Sequence, residues 1–248
     1  MKNGNKKKLD GNSFLLAVTI VLFFAMYIVG IIMFGGRGFA KVQNFLNLFI
    51  SNAGLIVVAT GMTIVMITGG IDISVGSVVA LICMMLAWMM EKAGIGAVPA
   101  IIIVLVTGCV FGLVQGFLVA YLKIQPFIVT LAGMFFARGM TTIVHTAPFN
   151  VANEGFAALK DTRINVPGLG TVNKLGKYIN AYVEIGVIVA VLVVIILFCI
   201  LKWTKAGRNF YAVGGNEKAT RLSGIDTNRV YFLAYLNMGL LAAVAGMI

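Results

Sequence analysis

Acidic side chains are scarce in this chain, with 8 Asp and Glu against 19 Lys and Arg in 248 residues. Charged residues of both signs reach only 11%, less than half of the roughly 25% carried by a soluble domain. A soluble globular fold is therefore excluded. Histidine occurs once, at His145. There is no HExxH, no paired-cysteine metal site and no GxxxxGK[ST] loop, so neither metal chemistry nor ATP binding is expected of this chain alone. Cys83, Cys109 and Cys199 all lie within apolar runs, which favours free thiols over a disulfide framework. The first apolar run, Phe14 to Phe34, is too long for a signal-peptide core and ends without a small-residue cleavage site. It reads as a first membrane span.

Apolar length is what the sequence has in place of charge. Hydrophobic residues make up 60% of it and the mean hydropathy is +1.03. A helix needs roughly 20 apolar residues to cross a hydrocarbon core. Runs of that order recur at 14–34, 45–68, 74–90, 98–122, 127–145, 183–201 and 230–248. The expected fold class is all-α, a polytopic integral membrane bundle of about seven helices, since a β-barrel would show short alternating segments. Residues 1–13 form a basic tail ahead of one transmembrane domain over 14–248. Lys2, Lys6, Lys7 and Lys8 crowd that tail, and Lys202, Lys205, Arg208, Lys218, Arg221 and Arg229 crowd the segment 202–229. Cytoplasmic loops collect such residues, and six intervening spans, an even number, put both segments on one side. The N-terminus and 202–229 are thus expected in the cytoplasm, and the long loop 146–182 on the other face. The net charge of +11 then reads as topology and contact with membrane lipids; nucleic acid is a poor partner. The stop at Ile248, inside an apolar run, is expected to reflect a truncated chain.

Between Phe45 and Met90 the only charge is Asp72, in the stretch GGIDISVGS. Gly69 and Gly70 are expected to end one span, and Asp72 or Ser74 to cap the next, where a carboxylate suits the unpaired amides and the helix dipole. Gly69, Gly70, Asp72, Ser74 and Ser77 are also candidates to line a passage, because irregular backbone at depth is tolerated only where it is buried or faces a cavity. Arg138, midway along the fifth span, is the second intramembrane charge and is expected to avoid lipid by pairing with Asp72 or by reaching a polar cavity or the interface. Gln115 is open to two readings, a pore-lining amide or an interhelical hydrogen bond. Gly108, Gly112 and Gly116 recur every four residues and predict close helix packing. The second span carries Ser51, Asn52, Thr60, Thr63 and Thr68 and is expected to be buried in the bundle. Trp88 and Trp203 read as interfacial anchors, and His145 as an interfacial residue rather than a catalytic one.

The basic loop contains a short helix framed by its own stop signals. Asn216 is a good N-cap, Glu217 suits the first turn, and Gly224 can end the helix in a left-handed conformation. Gly214 and Gly215 are expected to loosen the approach. From these residues alone, resting on anionic lipid and docking a cytoplasmic partner are equal readings.

Three stretches, GGIDISVGSVVAL at Gly69, TLAGMFFARGM at Thr130 and GRNFYAVGGNEKATRLSGI at Gly207, stand in the order and spacing of one group. The chain resembles, from about Asn44 onward, the permease subunits of bacterial ABC importers for ribose, xylose, galactose and related sugars. The TLAGMFF wording is most similar to a galactofuranose-type permease subunit. The group has GGIDLSVGS where this chain has Ile73 in place of Leu, a conservative departure. The resemblance implies a transport subunit that is not itself an enzyme, with ATP and magnesium held by a partner ATPase subunit and no cofactor in this chain. It implies a coupling element that fits that partner, built from Gly207, Arg208, Gly214, Gly215, Asn216, Glu217, Ala219, Arg221 and Gly224. It further implies a periplasmic or lipid-anchored sugar-binding protein on the outer face, a second permease subunit, identical or homologous, and an inner-membrane location. Two other classes, a secondary transporter using Asp72 as its coupling carboxylate and a membrane-embedded enzyme, stay open on the residues themselves.

Overall fold

A computed structural model of the chain describes residues 11–147, 149, 155, 162–172 and 178–248. The tail residues Lys2, Lys6, Lys7 and Lys8, and much of the loop 146–182, lie outside the described residues. Among the described residues there are nine α-helices and one two-stranded sheet. The helices are α1 (Gly11–Phe34), α2 (Val42–Ile67), α3 (Val75–Glu91), α4 (Ala97–Ala120), α5 (Pro126–Val144), α6 (Ile185–Trp203), α7 (Lys205–Gly215), α8 (Glu217–Leu222) and α9 (Thr227–Met247). Strands β1 (Arg163–Val172) and β2 (Tyr178–Glu184) pair between α5 and α6. Six helices, α1, α2, α4, α5, α6 and α9, are long and apolar enough to cross a membrane, and α3 is a shorter apolar helix of 17 residues. These seven fall within a few residues of the runs read from the sequence.

The chain divides into two units, residues 1–47 with 166–181, and residues 48–165 with 182–248. In the first, α1 is joined to α2 by a short 3-10 turn at Gly35–Arg37. Tyr27 packs against Phe39 and Phe45, and Asn44 donates from Nδ2 to the Gly38 carbonyl at 2.9 Å.

The second unit holds the bundle, and α9 is its axis. Helix α9 runs along α4 with α3 beside it, α5 packs on α3, and α7 folds back on α6. Residues of α9 enter each of three buried apolar clusters, through Ala234 and Leu241, through Ala242 and Ala243, and through Tyr235 and Met238. The α4 glycines meet α9 backbone to backbone. A Cβ on Gly112 would sit 2.6 Å from the Tyr235 carbonyl oxygen, and one on Gly116 2.9 Å from that of Phe232. Opposite them, Gly239 lies against Gly108 and Gly112. Close backbone approach replaces the hydrophobic drive that lipid removes.

Three expectations change. Of the polar residues expected on the second span, Thr68 just after α2 is buried, but Ser51, Asn52 and Thr63 are exposed on the isolated chain. Asn52, Thr60 and Thr63 satisfy themselves by donating to the carbonyls of Leu48, Ile56 and Ala59, four residues back. A hydroxyl or amide paired within its own helix carries little cost on the outer face. The all-α expectation has one exception, since β1 and β2 pair within the long loop. Gly214 and Gly215 do not loosen a connection but form the last turn of α7, and Gly214 lies directly against the Ile67 carbonyl, where no side chain fits.

Candidate functional site: the polar turn between α2 and α3

Two consecutive punctuation marks build the turn at Gly69–Ser77. Helix α2 ends in a Schellman motif: the Gly69 N–H bonds the Met66 carbonyl at 3.0 Å and the Gly70 N–H bonds that of Val65 at 2.9 Å. Gly69 takes φ +78° there, the left-handed region that glycine enters freely. Helix α3 starts after Ser74, whose side chain does not cap it. That task falls to Asp72. Its Oδ1 accepts the Ser74 N–H at 2.8 Å and the Ser74 hydroxyl at 2.6 Å. An anion facing the free amides of a helix start is stabilised by those bonds and by the dipole.

The turn is the hub of a buried polar network. Asp72 is 4% exposed and Ser74 fully buried. Gln115 of α4, itself buried, donates from Nε2 to the Ser74 hydroxyl at 2.9 Å across 41 positions of sequence. It reaches over Gly133 of α5, where a Cβ would stand 2.5 Å from the amide nitrogen. From α9, the Tyr235 hydroxyl donates to the Ile71 carbonyl at 3.1 Å. Four elements thus converge on a stretch of nine residues. Arg138 stands one turn further along, and its Nε donates to the Ser77 hydroxyl at 3.3 Å. It does not pair with Asp72, whose carboxylate is already turned to the start of α3. Arg138 as a residue remains exposed on the isolated chain, and its Nε bond to Ser77 leaves the two terminal nitrogens of the guanidinium as further donors.

The nearest large groove has the opposite character. About 730 Å³ in volume, it runs between α3, α4 and α5, lined by Leu81, Met85, Phe111, Leu118, Phe136 and Met140, with Gln115 at its polar edge. Such a lining cannot satisfy the hydroxyls of a hydrophilic solute. The polar side chains gathered beside it are those of the turn, Gln115, Ser77 and Arg138.

The remaining candidate residues gather on α7 and α8. Phe210 and Val213 of α7 are buried, and Gly207 is wedged against the carbonyls that end α6. Asn216 caps α8, its Oδ1 accepting the Ala219 N–H at 3.0 Å. At the other end the Gly224 and Ile225 N–H groups bond the carbonyls of Arg221 and Thr220, a second Schellman motif with Gly224 at φ +81°. Thr220 ties α8 to α7 by donating to the Ala212 carbonyl at 2.8 Å. Glu217 is exposed but its carboxylate is turned to α9, whereas the rest of α8 points outward: Lys218, Ala219 and Arg221 are exposed, and Leu222 is 90% exposed. Arg208 and Gly215 are exposed as well. Because Gly214 touches Ile67, this segment and the Gly69–Ser77 turn lie at the same end of the bundle. Tyr235 and Thr220 are the residues sequence reasoning missed. Their bonds join positions 164 and 8 residues away, and no local pattern announces them.

Residues 44–248 match the family described as the branched-chain amino acid transport system / permease component. The chain belongs to this family. It is 35% identical over 243 residues to the fructose import permease protein FruG of Bifidobacterium longum, covering 97% of this chain and 68% of that protein. It is 35% identical over 233 residues to the inner membrane ABC transporter permease protein YjfF of Escherichia coli, covering 94% and 66%. A third relative, the ribose import permease protein RbsC of Bacillus subtilis, is 36% identical over 242 residues, covering 96% and 69%. The chain spans about two thirds of the length of these curated relatives. No solved structure gives a significant match. As a family member with six apolar helices of spanning length among the described residues, the permease is a multi-pass membrane protein and a component of transport.

Proposed function

We propose that this permease is the transmembrane subunit of an ATP-binding-cassette importer and forms the passage for a monosaccharide of the ribose, fructose or galactose kind. The observation that carries this is identity of about 35% along almost the whole chain to permeases named for fructose and ribose import. The architecture fits the same reading. A weak, partly exposed polar site at Arg138, Ser77 and Gln115 suits a solute handed over already selected by a binding protein. The outward residues of α8 suit a groove on the ATP-hydrolysing partner, with Leu222 as the apolar contact and Lys218 and Arg221 as its charged flanks. The N-terminus and α7–α8 then lie in the cytoplasm, and β1–β2 on the face that receives the sugar-loaded binding protein. A second permease subunit completes the passage.

Depth follows from helix length. At 17 residues α3 rises about 25 Å, short of the roughly 30 Å hydrocarbon core. One end of α3 is therefore set inside the boundary; the Asp72 end suits that place, because its buried network keeps the turn from meeting lipid. The test is uptake of radiolabelled ribose, fructose and galactose by cells expressing the permease with its ATPase and binding protein. Uptake that stops on ATP depletion and survives a protonophore supports the proposal. The reverse pattern makes Asp72 the coupling group of a secondary transporter and overturns it.

A further inference from the structure

We infer that Tyr235 is a positioning residue that ties the Asp72 turn to α9, so that a displacement of the α7–α8 segment is delivered to the turn. The inference rests on the reading of α8 as the docking element. The connection has two joints on α9. At the first, Glu217 of α8 accepts from the Tyr231 hydroxyl at 3.2 Å and from the Thr227 hydroxyl at 3.4 Å. One turn along the same face of α9, Tyr235 donates to the Ile71 carbonyl at 3.1 Å. Tyr235 is fully buried, and its backbone carbonyl is seated on Gly112 of α4. Gly70 makes the approach possible, since a Cβ there would come within 2.9 Å of the phenol oxygen.

The peptide group between Ile71 and Asp72 is thereby held from both sides. Its carbonyl belongs to α9, and the carboxylate that follows belongs to the start of α3 and, through Ser74, to Gln115. Rotating that peptide disturbs both partners together. A parallel contact runs through Gly214 of α7, pressed on the Ile67 carbonyl just ahead of the same turn. Helix α9 is packed along its length and transmits rather than absorbs a push at its first turn.

The experiment is hydrogen–deuterium exchange on the permease assembled with its ATPase subunit in lipid nanodiscs, with and without a non-hydrolysable ATP analogue. In the wild type, nucleotide should change the exchange of α8 and of residues 69–78 together. In Tyr235→Phe, which keeps the ring and removes the donor, the α8 response should persist and the response at 69–78 should fall about fivefold, as expected for one lost hydrogen bond. The double variant Tyr231→Phe/Tyr235→Phe should be no worse than Tyr235→Phe, because the two joints act in series. A full response at 69–78 in Tyr235→Phe, or additive losses in the double variant, overturns the inference and leaves the importer reading intact. No nucleotide response at α8 in the wild type overturns both. If Tyr235→Phe does not assemble, Thr227→Val/Tyr231→Phe, which removes both donors to Glu217 at the first joint, decides: an undiminished response at 69–78 overturns the inference.

Discussion

At the scale of single residues, Asp72 and Arg138 divide the work that their charges first suggested they share. Asp72 is spent on the backbone and hydroxyl of Ser74 and on the start of α3. Asp72→Ala should therefore leave buried donors unpaired and destabilise the fold by about 1–3 kcal/mol, seen as a lower unfolding temperature in detergent. Asp72→Asn retains an oxygen acceptor and should assemble. If it assembles normally and still abolishes uptake, capping is an insufficient account of the carboxylate. Arg138 makes one side-chain bond and stays exposed, so Arg138→Ala should lower uptake at least about tenfold, on the order of two lost hydrogen bonds, with the unfolding temperature unchanged. The sequence made Asp72 legible as a cap because glycines and serines frame it. It left Gln115 undecided, because the Ser74 hydroxyl it serves is 41 residues away and only packing brings the two together.

Among the elements, glycines fall into two kinds that fail differently. Gly69 and Gly224 sit at positive φ with open space around them. Alanine at either should cost only backbone strain, about 1–2 kcal/mol, and asparagine less. Gly112 and Gly239 have helical backbone but no room. Leucine at either should force α4 and α9 apart and prevent recovery of folded protein, as read by size-exclusion chromatography. The stripe of Gly108, Gly112 and Gly116 was visible in sequence by its spacing, whereas its partner Gly239 lay unremarked because a single glycine has no period. The caps of α8 were legible for the same local reason. Asn216→Ala should cost about 1 kcal/mol and reduce co-purification of the ATPase subunit. Helix α7 escaped notice because its glycines read as breaks, although Gly207 and Gly214 are there to fit against α6 and α2.

For the whole molecule, the span pattern was nearly all there to be read, since apolar length alone sets it. What could not be read was the arrangement, with α9 as the axis, and the presence of β1–β2 in a loop whose strand residues alternate too briefly to compete with their glycines. The proposed orientation predicts that a cysteine introduced at Lys218 reacts with a membrane-impermeant maleimide only from the cytoplasmic side of sealed vesicles, in a background lacking the native thiols. Labelling from outside would reverse the topology. Those native thiols carry a use of their own. Cys83 is unpaired and exposed on α3, nine residues beyond Ser74. The thiolate is the form that attacks thiol reagents, and it forms in water and not in hydrocarbon. With Cys109 and Cys199 replaced, the remaining native thiol at Cys83 is a gauge of wetness. Its modification rate reports whether that side of α3 faces lipid or an aqueous chamber, and a rate that rises and falls with nucleotide would time the opening of the passage without any thiol being added.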